Sequence, residues 1–219
     1  MTDLLGFIAG FVDTCAFFAL YGVFVAQVTG SFVLAGARLV SGQQELMTLS
    51  AIPTFFLAGA AATALAIVRL PGRRALSWVL ALECGLLTAM LALMMTASLD
   101  GRDSAPVILA ALLGIAAMGV QSAAVRLFMS GAPSTNVMTT NTTQLAIDAT
   151  ILIFAVCGCG EAEQTRQSQT RFSQYWVPMA GFVVGTALGA LSFRFLDAAA
   201  LAAPLLGAYA LLGWTIYRR

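Results

Sequence analysis

Six stretches of this chain, at 4–21, 49–68, 76–97, 105–128, 176–195 and 198–217, run for at least eighteen residues with no more than one charged side chain each. A helix of about 20 apolar residues matches the hydrocarbon thickness of a bilayer, where lipid offers no partner to an open backbone N–H or C=O. The stretches therefore predict spanning helices. Composition agrees: 60% of residues are hydrophobic and 10% charged, and mean hydropathy is +0.90. Soluble domains run at about 45–50% and about 25%. A soluble fold of 219 residues has too little interior to hide that much apolar surface. The polar punctuation fits. Pro71-Gly72-Arg73-Arg74 reads as a tight basic turn, Asp100-Gly101-Arg102-Asp103 as a polar one, and 161–173 as an aqueous loop. Tyr175, Trp176, Trp214 and Tyr217 stand where interfacial anchors belong. The first run lacks a basic flank and carries Asp13, so it reads as a retained helix rather than a cleaved signal.

The charges exclude several chemistries. All eleven basic residues are Arg; the chain has no Lys and no His. Schiff-base lysines, phosphate-loop lysines, histidine relays and His-containing zinc sites are thereby removed. A net charge of +1 leaves no footprint for nucleic acid. Cys15 and Cys84 sit in apolar runs, where cysteine acts as a small hydrophobe. Cys157-Gly158-Cys159 is one short pair without further ligands, which points away from a metal centre. No cofactor and no metal are expected. An enzyme needs a nucleophile, base or metal cluster within reach, and the scattered carboxylates here predict none.

Two further segments, 24–40 and 136–156, are apolar but open on polar residues: Gln27, Thr29, Gly30 and Ser31 in the first, Thr139-Thr140-Asn141-Thr142-Thr143 in the second. They read as interrupted or re-entrant helices. They also mark an internal repeat. Leu4 through Asp13 aligns without gaps to Leu112 through Gln121. After a two-residue insertion, Val28-Thr29-Gly30-Ser31 meets Met138-Thr139-Thr140-Asn141. Pro53 with Gly59, Ala60 and Ala64 then meets Pro178 with Gly181, Gly185 and Gly189. The chain thus forms one transmembrane domain, 1–219, of two repeats, 1–98 and 105–219. With six spans, eight arginines (69, 73, 74, 126, 166, 171, 218 and 219) fall on one side and three (38, 102 and 194) on the other. With eight spans the split is six to five. The positive-inside bias favours six, with both termini cytoplasmic. Three crossings per half invert one half relative to the other, as in many secondary transporters. The expected fold is an all-α membrane protein of six transmembrane helices plus two interrupted segments, as two inverted-topology repeats.

A carboxylate in mid-span is costly unless paired, protonated or wetted, so Asp13 is a functional candidate; the alternative is an acid that only holds helices together. Its repeat partner, Gln121, is polar too. Gln27, Thr29, Gly30 and Ser31, with Thr139, Thr140 and Asn141, supply oxygens and loosened backbone for a solute or ion. Asp148 and Glu83 are further acids that titrate or pair with an arginine such as Arg126. The ladder Gly181, Gly185, Gly189 is a close-packing face.

Gly10-Phe11-Val12-Asp13 followed by Gly22 through Ser31 resembles the first signature of the YoaK-type family of bacterial membrane proteins, a domain of unknown function. Gly119 through Ala123 with Val137 through Thr143 is similar to its second, and Pro178 through Gly189 to its penultimate helix. The family tends to have Asn where Ser31 stands, and Thr-Gly where Thr139-Thr140 stands. The resemblance implies a multi-pass protein of the bacterial inner membrane and brings no established activity. The function expected is a small secondary transporter or channel, with its site between the two Thr-rich segments near the midplane. The alternatives are a non-catalytic assembly partner packing through its glycine face and, less favoured, a membrane-embedded enzyme. Expected partners are the bilayer and a small solute or ion, with self-association left open.

Overall fold

Chain in hydrocarbon has to close its hydrogen bonds within each segment, and the apolar runs accordingly become helices. The computed structural model describes residues 1–41, 46–69, 73–99, 101–135, 138–158 and 161–217. Among these are eight α-helices and no strand: α1 (Thr2–Ala19), α2 (Val28–Ser41), α3 (Leu46–Arg69), α4 (Arg73–Thr96), α5 (Ala105–Phe128), α6 (Met138–Val156), α7 (Ala162–Leu196) and α8 (Ala202–Tyr217). A 3-10 turn, Asp197–Leu201, joins the last two. Five helical stretches among the described residues are long and apolar enough to cross a membrane: Thr2–Ala19, Met47–Val68, Arg74–Thr96, Ala105–Phe128 and the run Ala162–Tyr217. The last contains α7 and α8, and with them the final two expected spans. The chain is a helical membrane protein.

Three expectations need correction. The stretch 161–173 is not a loop but the first third of α7. It holds no Gly or Pro, and its side chains bond within the helix: Thr165 and Thr170 to the carbonyls of Glu161 and Arg166, and the Gln167 amide to Glu163. Nor are the segments 24–40 and 136–156 broken within their helices, which run unbroken from Val28 and from Met138. Thr142 and Thr143 donate to the carbonyls of Met138 and Thr139, four residues back, at 2.8 and 3.0 Å. Those hydroxyls satisfy themselves on the helix instead of opening it. The irregular chain comes earlier, at 20–27 and 129–135. Pro71, Gly72, Asp100, Asn136, Val137, Cys159, Arg218 and Arg219 lie outside the described residues.

Packing interlocks the two halves. α1 lies on α7, with Asp3, Phe7 and Phe11 of one meeting Gly181, Gly185 and Gly189 of the other. The order is the same along both helices, so they run in parallel. A Cβ on Gly181 would come within 2.6 Å of the Asp3 carbonyl, and one on Gly185 would collide with the Phe7 carbonyl. From the other side, Gly6 and Gly10 receive the carbonyls of Pro178 and Phe182. Absence of side chains lets the two backbones touch. α5 lies on α3 in the same manner, Gly119 taking the Phe55 carbonyl and Ala58. The first helix of each half therefore packs on the Pro-bearing helix of the other. α1, α4 and α5 supply most of the core, including Ile8, Phe11, Met90, Ile115 and Met118, while α3 turns Phe56 and Leu57 outward.

One end of the bundle is fixed by Tyr21. It has φ 56° and is followed by Gly22 at φ 84°, a left-handed pair that reverses the chain after α1. The Tyr21 hydroxyl donates to the Leu99 carbonyl at 2.8 Å and accepts the Gly101 N–H at 2.9 Å, tying this turn to the α4–α5 connection.

Gly185→Ala forces a methyl into the Phe7 carbonyl and should destabilise the protein by about 1–3 kcal/mol, the usual range for overpacking. Gly213→Ala, where nothing lies within 4 Å, should stay within about 0.5 kcal/mol of the parent. Thermal unfolding in detergent separates the two; equal melting temperatures would contradict the α1–α7 contact.

Candidate functional site at the start of α2

The site begins with the chain reversal between α1 and α2. After Tyr21 the backbone runs back alongside α1, leaving buried N–H groups with no helical partner. Asp13, only 4% exposed, meets that demand. Its Oδ1 accepts the N–H of Val25 at 2.7 Å and that of Ala26 at 2.8 Å. Its Oδ2 accepts the Gln27 side-chain amide at 3.2 Å. The positive end of α2 starts one residue later and favours a negative charge here. Three donors and a helix N-terminus make a buried carboxylate tolerable where an isolated one is not.

Asp13 and Gln27 also line an open cleft of about 350 Å³. Phe17, Phe18, Phe24 and Phe182 form its apolar walls, and Thr14 and Thr186 add hydroxyls. Thr14 donates to the Gly10 carbonyl at 2.8 Å. The buried Thr186 hydroxyl has no hydrogen-bond partner. Oδ2 of Asp13 carries a single long bond and keeps accepting capacity for a donor placed in the cleft.

The second half repeats the bracket with weaker groups. Gln121, fully buried, donates from Nε2 to the Leu5 carbonyl and to the Thr135 hydroxyl, both at 3.0 Å. Gln27 lies 14 residues after Asp13, and Thr135 lies 14 after Gln121. Asn141 is buried and donates to the Ser134 carbonyl at 2.7 Å, closing the turn that leads into α6.

The remaining candidates scatter. Thr29, Thr139 and Thr140 lie exposed on the first turns of α2 and α6. The Gly30 N–H bonds the Gln27 carbonyl at 3.1 Å, and Ser31 is buried beside Met47, Thr48 and Arg102. α2 packs on α3 and α6 on α7, and among the described residues there is no contact between α2 and α6. The expected meeting of the two Thr-rich segments does not occur. Leu5, the neighbour of Gln121, is eight residues from Asp13 on α1, which sets the two brackets about 12 Å apart along its axis. Asp148 belongs to neither. It is buried on α6, where Arg171 donates Nε and Nη2 to Oδ1 at 3.1 and 2.9 Å and Gln144 donates to Oδ2 at 2.9 Å. Its arginine is therefore Arg171, not Arg126, and the pair clamps α6 to the polar arm of α7. Cys157 is exposed at the end of α6.

Sequence reading missed Thr14, Thr135, Arg171 and Thr186. The 14-residue spacing from Asp13 and Gln121 was the available signal for Thr135; the others come from helices whose neighbours only the fold reveals.

The sequence profile described as "Protein of unknown function (DUF1275)" matches residues 2–214, and the chain belongs to that family. No curated protein and no solved structure matches it.

Arg171→Met should cost more than Asp148→Asn. The first leaves a fully buried carboxylate with no counter-charge and only the Gln144 amide and Ser168 hydroxyl as donors, about 3 kcal/mol by analogy with broken buried pairs. The second leaves an arginine whose side chain is 38% exposed and can turn to water, about 1 kcal/mol. Chemical unfolding of the two variants gives the order; a larger loss for Asp148→Asn would contradict the clamp.

Proposed function

We propose that the chain is a small secondary transporter or channel, not an enzyme, that binds its solute in the cleft beside Asp13. We also infer that residues 1–98 and 105–219 are inverted copies. The observation that carries this is the pair of matched brackets, Asp13 with Gln27 and Gln121 with Thr135, each holding the start of a helix inside the protein. The contacts between α1 and α5 run in opposite order, which supports inversion. Leu5 meets Gln121, while Gly114 meets Val25 at the Asp13 end.

Six crossings are supported by what gathers at each end. Tyr21 is tied to Leu99 and Gly101, and Met47 and Thr48 stand beside Arg102, so the chain from 21 to 46 leaves and returns on one side. At the other end Thr2 and Asp3 share a cleft with Ser130 through Pro133 and with Ser173 and Gln174. The segment from 129 to 173 likewise returns to its own side. In this reading α2 and α6 are re-entrant, and the eight-to-three arginine split favours cytoplasmic termini in a bacterial inner membrane.

Interior helix ends beside a cavity are how membrane carriers expose backbone dipoles to cargo. Four phenylalanines around a carboxylate, an amide and two hydroxyls suit a small solute with an apolar body and a cationic or hydrogen-donating end. The alternative role as an assembly partner loses its contact surface, because Gly181, Gly185 and Gly189 are covered by α1 of the same chain.

Asp13→Asn separates charge from scaffold. Asn retains an oxygen for Val25 and Ala26, and Gln27 can rotate its amide to match the new NH₂. The purified protein is screened by thermal shift against Na⁺, K⁺, small amines and neutral metabolites, and ligands that shift it are followed as labelled uptake into proteoliposomes. The variant should melt like the parent and lose about tenfold or more in uptake, as expected for a removed charge-assisted bond. Undiminished uptake by the variant, or no uptake of any compound by the parent, overturns the proposal.

A further inference from the structure

Outside the Asp13 cleft and the Asp148–Arg171 pair the bundle buries a third acid. Glu83 lies midway along α4, 1% exposed, and neither carboxyl oxygen has a hydrogen-bond partner. A third orphaned acceptor is Oε1 of Gln121. The two residues are brought to one level by helix register. Gly114 of α5 faces Met90 of α4, and the helices run antiparallel through a short connection. Glu83 is seven residues before Met90 and Gln121 seven after Gly114. Seven residues are nearly two full turns, so each returns to the contacting face.

Three buried acceptor oxygens that the register sets at one level of the α4–α5 contact, none with a donor, do not make a stable apolar interior. Turning the Gln121 amide over does not repair it, because the Leu5 carbonyl only accepts and fixes the nitrogen on that side. The packed neighbours offer no counter-charge. On α3, described side chains between Met47 and Val68 carry no charge, and on α8 those from Ala202 to Tyr217 carry none. Tyr209 of α8 is engaged with the Thr88 hydroxyl. Arg126 of α5, Asp197 of the 3-10 turn and Arg74 of α4 are exposed, and the Cys84 thiol beside Glu83 is buried and neutral.

We infer that Glu83 is a proton-binding site whose occupancy sets the orientation of the Gln121 amide, and through it the hold on the segment leading into α6. With the proton on, the Glu83 hydroxyl donates to Oε1 of Gln121, whose two N–H groups remain on Leu5 and Thr135. With the proton released to water, the carboxylate needs donors and the nearest are those same N–H groups. The cost of an unpaired buried carboxylate exceeds the hold of the Leu5 carbonyl, so the amide turns its N–H groups toward Glu83, and both that carbonyl and the Thr135 hydroxyl ahead of α6 are let go. No bond other than O–H is made or broken.

The test needs no solute and is independent of the transport reading. Dicyclohexylcarbodiimide attacks protonated carboxyls in apolar surroundings, and peptide mass mapping locates the adduct. In the parent protein Glu83 should be labelled at low pH and the label lost as pH rises. Infrared spectra of Glu83→Gln should lack the protonated-carboxyl C=O band of the parent. In a background with Cys157 and Cys159 replaced by Ser, maleimide should reach Thr139→Cys more readily at high pH. Adding Glu83→Gln, which keeps a donor for Gln121, should hold it at the low-pH rate. The inference is overturned if Glu83 stays unlabelled at every pH, if the band survives in Glu83→Gln, or if Thr139→Cys responds to pH equally in both backgrounds.

Discussion

A polypeptide that turns back inside a membrane protein faces a problem that a spanning helix does not. Its backbone N–H groups leave one helix before the next can take them up, and neither lipid nor bulk water is at hand. In this chain a side chain fourteen residues upstream answers the first such turn. Asp13 takes two backbone N–H groups and the Gln27 amide, and α2 starts only after they are settled. At the second turn Gln121 reaches Thr135, and Asn141 folds back on Ser134. The position of both short helices, and the existence of a cleft beside one of them, follows from those few hydrogen bonds. The substitution of an amide for the acid in the second half leaves that bracket neutral and fully buried.

Glycine does for α1 and α7 what these side chains do for α2 and α6. α1 and α7 approach until carbonyls rest on bare Cα atoms at Gly6, Gly10, Gly181 and Gly185. Dispersion between such closely spaced backbones replaces the hydrophobic drive that lipid removes. Because α1 takes its partner from the far half, and α5 takes α3, neither half closes on its own. The polar brackets are thus set within a frame that both halves have to complete.

The helices were legible because hydrocarbon imposes a length: 105–128 matches α5 residue for residue, and 49–68 lies within α3. Asp13, Gln27, Gln121 and the glycine ladder were legible because polar or bare positions stand out in an apolar run. What sequence concealed was whom they meet. Thr29 and Thr139 sit in motifs as conspicuous as Asp13, yet they face outward, because helical phase and not residue type decides the face. The stretch 161–173 looked like a loop because polarity was taken to mean irregular backbone. Its Glu, Gln, Arg and Ala are good helix formers, and nothing in it breaks the turn. Arg171 was hidden for the same reason, since a residue in a loop gives no register against Asp148.

That misread stretch changes how force travels through the molecule. α7 is 35 residues long, about 52 Å at 1.5 Å per residue, against about 30 Å of hydrocarbon. Its polar third is gripped by α6 through Asp148 and Arg171, while its other end rests on Phe18 through Phe193. No slack loop separates the two, so a push on the outer arm is delivered into the bilayer as movement of a rod. The only weakened link is Pro178, which leaves the Gln174 carbonyl without its intrahelical donor and sits directly against Gly6. The arm therefore has a fulcrum where the rod is thinnest, and leverage applied there arrives at Phe182 and Thr186, two walls of the cleft beside Asp13.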